Sequence, residues 1–328
     1  MTKLRAALIG LGIMGANHAR VLSNLEGVDL VAVADPQGDT RGMLPGTEVL
    51  TSVDEVIKKK VDYCVIAAPT AFHEEISLKL IHAGIHILIE KPIAHTLESA
   101  KRITKAASEK GVIGAVGHIE RFNSALQQAR TRILNGDLGE IYQISTRRLG
   151  PFPARIADVG VVMDLATHDI DLTSWIADSE YLNVSAQSAT RSGRAHEDLI
   201  AVVAQLKNGV VVNHLVNWLS PLKERKTIIT GEKGTYVVDT LTSDLTFYAN
   251  GTVSVSQQQI AHFKGVSQGD IQIYAFNKPE PLAVEHQNFR DAVLGIDSEI
   301  VTLQTGTKTV EVAESIIKST LNQMVVSL

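Results

Sequence analysis

The chain has 328 residues, 45% of them hydrophobic and 20% charged, and a net charge of -5 at pH 7. That length holds two domains of ordinary size with ample core, and the acidic balance gives no nucleic acid or anionic membrane as partner. A single cysteine excludes an internal disulfide framework, and no run approaches the ~18 apolar residues of a membrane span.

The chain opens with an apolar run, Leu4 to Ile9, short enough for a buried strand and too short for a secretory signal. Gly10, Gly12 and Gly15 follow in GxGxxG spacing, with Ile13 and Met14 between them and a helix-compatible stretch from Ala16 to Leu25. Each glycine has a job in a dinucleotide site: a tight turn, close approach to a pyrophosphate, and close helix–strand packing. The helix N-terminus offers free N–H groups to the phosphates. A second apolar run, Leu30 to Ala34, closes on Asp35, where an acid bonds a ribose 2′-hydroxyl and repels a 2′-phosphate, so the expected cofactor is NAD. Arg41 is the nearest cation in sequence.

Further along, Gly38 to Thr47 reads as a loop, and Ser52 with Glu55 forms a capping-box pattern. Val61 to Ala68 is a strand carrying Cys64 as core filler, and it runs into Pro69, Thr70 and His73. Glu74 to Ala83 is helical, Ile85 to Ile89 a strand ending in Glu90-Lys91-Pro92, Leu97 to Lys110 a helix and Val112 to Val116 a strand. This alternation predicts a doubly wound parallel sheet, an α/β Rossmann domain over residues 1–122. The carboxyl ends of its strands set Gly10, Asp35, Pro69, Thr70, Lys91 and His118 along one rim.

Beyond Glu120 the alternation stops. Ala125 to Leu134 is helical, Ile141 to Arg148 a strand, Gly150 to Asp158 a loop broken by two prolines, and Val161 to Ile176 a helix. Strand-like runs follow at 183–190, 199–205, 210–218, 226–229, 236–238 and 245–248, with closing helices at 284–294 and 308–325. Residues 123–328 therefore read as an α+β domain with a large, mostly antiparallel open sheet. Apolar residues on both faces (Val202, Val203, Val210 to Val212) predict helices on one face and a partner subunit on the other, hence a homodimer or homotetramer.

Asp164 and His168 stand at i and i+4 on the predicted helix, so their side chains share a face. A carboxylate beside an imidazole orients it and makes it a better proton acceptor, as oxidation of an alcohol requires. Lys91, at a strand end, is suited to hold a reacting oxygen. Asp169 and Asp171 point away from that face and no second His or Cys is near, so no metal is expected. His118, Arg121 and Asn123 either meet cofactor or substrate or cap the next helix.

The glycine loop, Ala67-Ala68-Pro69-Thr70 with His73, Glu90-Lys91-Pro92 and Asp164-Leu-Ala-Thr-His168 together resemble the family of glucose–fructose oxidoreductase and inositol 2-dehydrogenase. The resemblance covers essentially the whole chain. It implies an NAD-dependent enzyme in which His168 is the acid/base, Lys91 the oxygen anchor and Asp164 the orienter, with Pro69, Thr70, His73, Glu90 and Lys91 beside the cofactor. The run Arg148 to Asp171 is similar to UDP-N-acetylglucosamine 3-dehydrogenases and related sugar-nucleotide enzymes. That implies oxidation of the 3-hydroxyl of a UDP-linked N-acetyl-hexosamine, with Arg155 on or near the diphosphate and Arg147 and Arg148 on the strand leading in. The alternatives are a proline-stiffened connector whose arginines pair with Asp158 or solvent, a dehydrogenase of inositol or another free polyol, an enzyme that recycles a tightly held cofactor, and a non-catalytic NAD-binding regulator. The expected compartment is the cytoplasm.

Overall fold

The computed structural model describes residues 3–40, 42, 44, 48–153, 159–251 and 267–328. The chain divides into two compact units, Met1–Phe122 with Pro279–Glu314, and Asn123–Lys278 with Ser315–Leu328.

The first unit is built from β1 (Leu4–Ile9), α1 (Ile13–Asn24), β2 (Val28–Ala34), β3 (Val49–Leu50), α2 (Val53–Lys58), β4 (Tyr63–Ile66), α3 (His73–His82), β5 (His86–Glu90), α4 (Leu97–Lys110) and β6 (Gly114–Gly117). The strands form one parallel sheet in the order β3-β2-β1-β4-β5-β6. The order reverses between β1 and β4, which is where such sheets bind dinucleotides. Helices cover both faces, so the central strands lack an exposed side: all four residues of β4, Cys64 included, are buried. The Ser52–Glu55 capping box starts α2 as the sequence predicts.

The second unit contains α5 (Ser124–Leu134), β7 (Ile141–Pro151), a π-helical turn (Val162–Ala166) running into α6 (Thr167–Ala177), and then β8 (Tyr181–Ala189), β9 (Leu199–Leu206), β10 (Val211–Asn217), β11 (Leu219–Gly231), β12 (Gly234–Asp239), β13 (Asp244–Gly251) and β14 (Ser267–Tyr274). With β15 (Val326–Ser327) they make a nine-stranded sheet, β14-β13-β12-β11-β7-β10-β9-β8-β15, antiparallel except for β7 beside β10. Strand β9 alternates between buried and exposed residues. Val202, Val210 and Val212 are buried, while Val203 and Val211 face outward. The outer face is mixed in character: register places Ser185, Val203, Asn213, Ser145, Ile228, Val237, Thr246 and Ile273 in one row across eight strands.

Three expectations need correction. Pro151 ends β7 rather than a loop, because a proline at a strand terminus forfeits only one ladder donor. Strand β14 is not announced by the sequence because its apolar alternation is confined to Ile271 and Ile273, both exposed. The closing helices α7 (Pro281–Val293) and α8 (Leu303–Asn322) do not belong wholly to residues 123–328 as a domain. Phe289 of α7 packs edge-on against Tyr63 inside the first unit's core, at 5.4 Å between ring centres, and the Val116 N–H donates to Val301 O at 2.8 Å. Among the described residues no helix is long and apolar enough to cross a membrane.

Candidate functional site

At the end of β1, Gly10 has φ +96°, and a Cβ there would lie 2.6 Å from Ala67 O. A Cβ on Gly15 would lie 1.9 Å from Gly10 O, so α1 crosses the loop at a distance only glycine permits. Gly12 differs, since a Cβ on it would meet no protein atom within 4 Å. It starts α1 without a side-chain cap, so the first-turn N–H groups of Ile13, Met14 and Gly15 are left for an anion. Asp35, past the end of β2, accepts the Leu11 N–H through Oδ2 and the Gln37 N–H through Oδ1, both at 2.8 Å. These bonds fix the carboxylate beside the glycine loop and leave lone pairs for ribose hydroxyls. Loop, helix terminus and acid together fit a dinucleotide. Arg41 lies outside the described residues.

Pro69 is exposed and Thr70 half-buried at the end of β4, where a 3₁₀ turn, Thr70–Phe72, leads into α3. His73 is buried, with Nε2 2.9 Å from Ala68 O and Nδ1 3.0 Å from Pro92 O. Its ring thus lies between two strand-end turns. Burial outweighs those carbonyls and holds the imidazole below its ordinary value.

Glu90 ends β5 and its Oε2 accepts the N–H of Lys91 at 3.1 Å. Its Oε1 lies 2.9 Å from Nε2 of His18 on α1, and Nδ1 of His18 lies 2.8 Å from Nε2 of His286 on α7. Burial opposes a charge on Glu90, but the His18 hydrogen bond and the nearby Lys91 outweigh it and hold the carboxyl below the usual range. Next to His286, burial and the Glu90 charge push Glu285 well above it. The sequence reading missed His18, Glu285 and His286. The signal was present, because His18 is a polar residue on the apolar face of α1, but its partner is 268 residues away. His118 is buried after β6, and Arg121 lies half-buried in the turn Ile119–Phe122.

In the second unit Asp164 lies in the π turn and His168 in the first turn of α6, the former buried and the latter half-buried. The apolar spacing predicts an unbroken α-helix over this stretch, whereas its first turn is a π turn. A π turn widens the helix locally, a distortion that is frequent at functional sites. Asp169 and Asp171 are buried on α6. Asp169 holds Arg148 of β7, with Nε 3.1 Å from each carboxylate oxygen. Arg148, on the strand expected to lead into the diphosphate loop, is therefore a buried tie between helix and sheet. Arg147 points the other way and pairs with Glu224 at 3.1 Å. Arg155 lies outside the described residues. Asn123 caps α5, accepting the Ala125 N–H at 3.0 Å, and its amide donates to Thr240 O and Ser243 Oγ. Of the two roles open to it, capping is the one its side chain performs. Among the described residues no three His, Cys, Asp or Glu side chains gather as metal ligands.

Residues 4–118 match the oxidoreductase family described as an NAD-binding Rossmann fold, and residues 126–237 match the GFO/IDH/MocA C-terminal domain. The chain is 29% identical to a UDP-N-acetylglucosamine 3-dehydrogenase of Acidithiobacillus ferrooxidans, over 89% of this chain and 90% of the relative. It is also 29% identical to an inositol 2-dehydrogenase of Corynebacterium glutamicum, over 65% of this chain and 67% of the relative. A solved structure of the Acidithiobacillus ferrooxidans enzyme superposes with a TM-score of 0.83 at 26% identity, covering 97% of this chain and 98% of that one.

Proposed function

The chain belongs to the GFO/IDH/MocA oxidoreductase family and is an NAD-dependent dehydrogenase, and from that premise we propose that it oxidises the 3-hydroxyl of a UDP-linked N-acetyl-hexosamine. The observation that supports this reading is the identity kept over most of the chain: 29% over 89% of it with the UDP-N-acetylglucosamine 3-dehydrogenase, against 26% over 99% of it with a scyllo-inositol 2-dehydrogenase of Bacillus subtilis.

Bound NAD supplies the hydride acceptor. His168 takes the hydroxyl proton as hydride leaves the same carbon, and the buried Asp164 carboxylate orients the imidazole. Lys91 holds the reacting oxygen and stabilises the charge that grows on it. The diphosphate role falls to Arg155, since Arg148 is engaged by Asp169 and Arg147 by Glu224. The same reading includes a cytoplasmic homodimer or homotetramer joined through the outer sheet face, where Val203, Val211 and Ile273 are exposed. Light scattering at micromolar concentration tests that part, and a monomer counts against it.

The catalytic assignment is tested with His168→Asn and Lys91→Met, each expected to fold and bind NAD while losing ~10²–10⁴ in turnover. Near-normal turnover in either variant removes that residue from the mechanism. Arg155→Ala should raise KM for the nucleotide sugar, and an unchanged KM leaves the substrate standing without that anchor.

A further inference from the structure

The Glu90–His18–His286 chain is unused by the mechanism above, although it ends one residue from Lys91. All three side chains lie within the first unit, and the two imidazoles are buried. Room for the carboxyl is built in: β6 pairs Gly117 with Glu90, and a Cβ on Gly117 would come within 3.4 Å of Glu90 Oε2.

The direction of the hydrogen bonds follows from the end of the chain. Nδ1 of His286 is buried and has no hydrogen-bond partner among the described residues. A proton there would be an orphaned buried N–H, whereas a proton on Nε2 leaves only a lone pair without a donor. His286 therefore donates from Nε2 to Nδ1 of His18. Accepting at Nδ1, His18 must carry its own proton on Nε2, and it donates that proton to Oε1 of Glu90. The other carboxylate oxygen accepts the Lys91 N–H. Burial holds His286 well below the ordinary imidazole value, in keeping with a neutral end to the chain.

We propose that His18 and His286 are positioning residues for Lys91: the directed chain His286→His18→Glu90 fixes the rotamer of Glu90, and Glu90 in turn pins the peptide from which the Lys91 side chain springs. The proposal rests on the reading of Lys91 as the oxygen anchor. Loss of the His18 donor frees Glu90 to turn, so the Lys91 backbone loses its brace while the glycine loop and Asp35 are untouched. The damage falls on kcat and spares cofactor binding, because displacement of a reacting group by about 1 Å costs on the order of 10²-fold.

The test compares wild type with His18→Leu, His18→Gln, His286→Leu and Lys91→Met on the substrate that wild type oxidises, measuring kcat, KM and NAD affinity. His18→Leu should lower kcat by ~10–10²-fold with NAD affinity held, and His18→Gln, which keeps an amide donor toward Glu90, should recover most of the loss. Equal activity of His18→Leu and wild type, or a loss in His18→Gln as deep as in His18→Leu, overturns the proposal. If Lys91→Met keeps its turnover, the parent reading falls and the proposal with it. If Lys91→Met is dead and His18→Leu is normal, only the proposal falls. Proton placement is read in folded wild type by nitrogen-15 NMR of labelled histidine, without turnover. Protons on Nε2 of both His18 and His286 support the chain, and a proton on Nδ1 of His286 with Nε2 bare overturns it.

Discussion

Asp169→Asn isolates the tie that holds the His168 helix to its sheet. Arg148 and Asp169 are 4% and 2% exposed, and Nε and an outer guanidinium nitrogen reach the carboxylate at 3.1 Å. The variant keeps the shape of Asp169 but leaves a buried guanidinium facing a neutral amide. Breaking a buried pair from one side costs ~3–5 kcal/mol. With a urea m-value of about 2 kcal/mol/M, the midpoint falls by ~1.5–2.5 M. Both tryptophans of the chain, Trp175 and Trp218, lie in the second unit, so tryptophan fluorescence follows that unit alone and avoids mixing two transitions. NAD affinity, a property of the first unit, should not change. The double variant Arg148→Met/Asp169→Leu should recover most of the loss, because it removes the buried charge along with its carboxylate. A loss below ~1 kcal/mol for Asp169→Asn, the range of an exposed ion pair, would refute the reasoning.

Other consequences are separable by assay. Gly12→Ala should leave thermal stability unchanged, because its Cβ meets no protein atom within 4 Å, yet weaken NAD at least tenfold in calorimetry; undiminished affinity would mean the pyrophosphate lies elsewhere. Asp35→Ala should narrow the preference for NAD over NADP in a binding titration, and comparable affinities in wild type would contradict the role given to Asp35. His214 is buried between Thr146 and Tyr181, and burial together with the Arg148 charge lowers its imidazole to about 3. A depressed imidazole contributes stability that is whole above the unfolded value of about 6.5 and is lost as pH falls toward 3. Between pH 6.5 and 4.5 the second unit should lose up to ~1.4 kcal/mol per pH unit through this group, and His214→Gln should flatten that slope; parallel slopes would reject it.

The parallel sheet was readable, apart from the two-residue edge strand β3, because its other strands are short apolar runs ended by a turn residue, and the Ser52–Glu55 box is local enough to be seen in four residues. The glycine loop with Asp35 was readable for the same reason, since all its parts lie within one βαβ unit. What escaped was set by distance or by the absence of a pattern. His18 meets His286 only because the segment Pro279–Glu314 returns to the first unit, and no periodicity announces such a return. The burial of Arg148 was equally invisible, because alternation along β7 puts Arg147 and Arg148 on opposite faces without saying which face α6 covers. The π turn under Asp164 has the composition of an ordinary helix.

The central claim is that the hydroxyl oxidised belongs to a sugar nucleotide. Its most direct test is NADH formation by the purified protein with NAD and, in parallel, UDP-N-acetylglucosamine, myo-inositol and free glucose. The account predicts the highest kcat/KM on UDP-N-acetylglucosamine, with the ketone at carbon 3 of the product. Faster turnover of myo-inositol or glucose would contradict it.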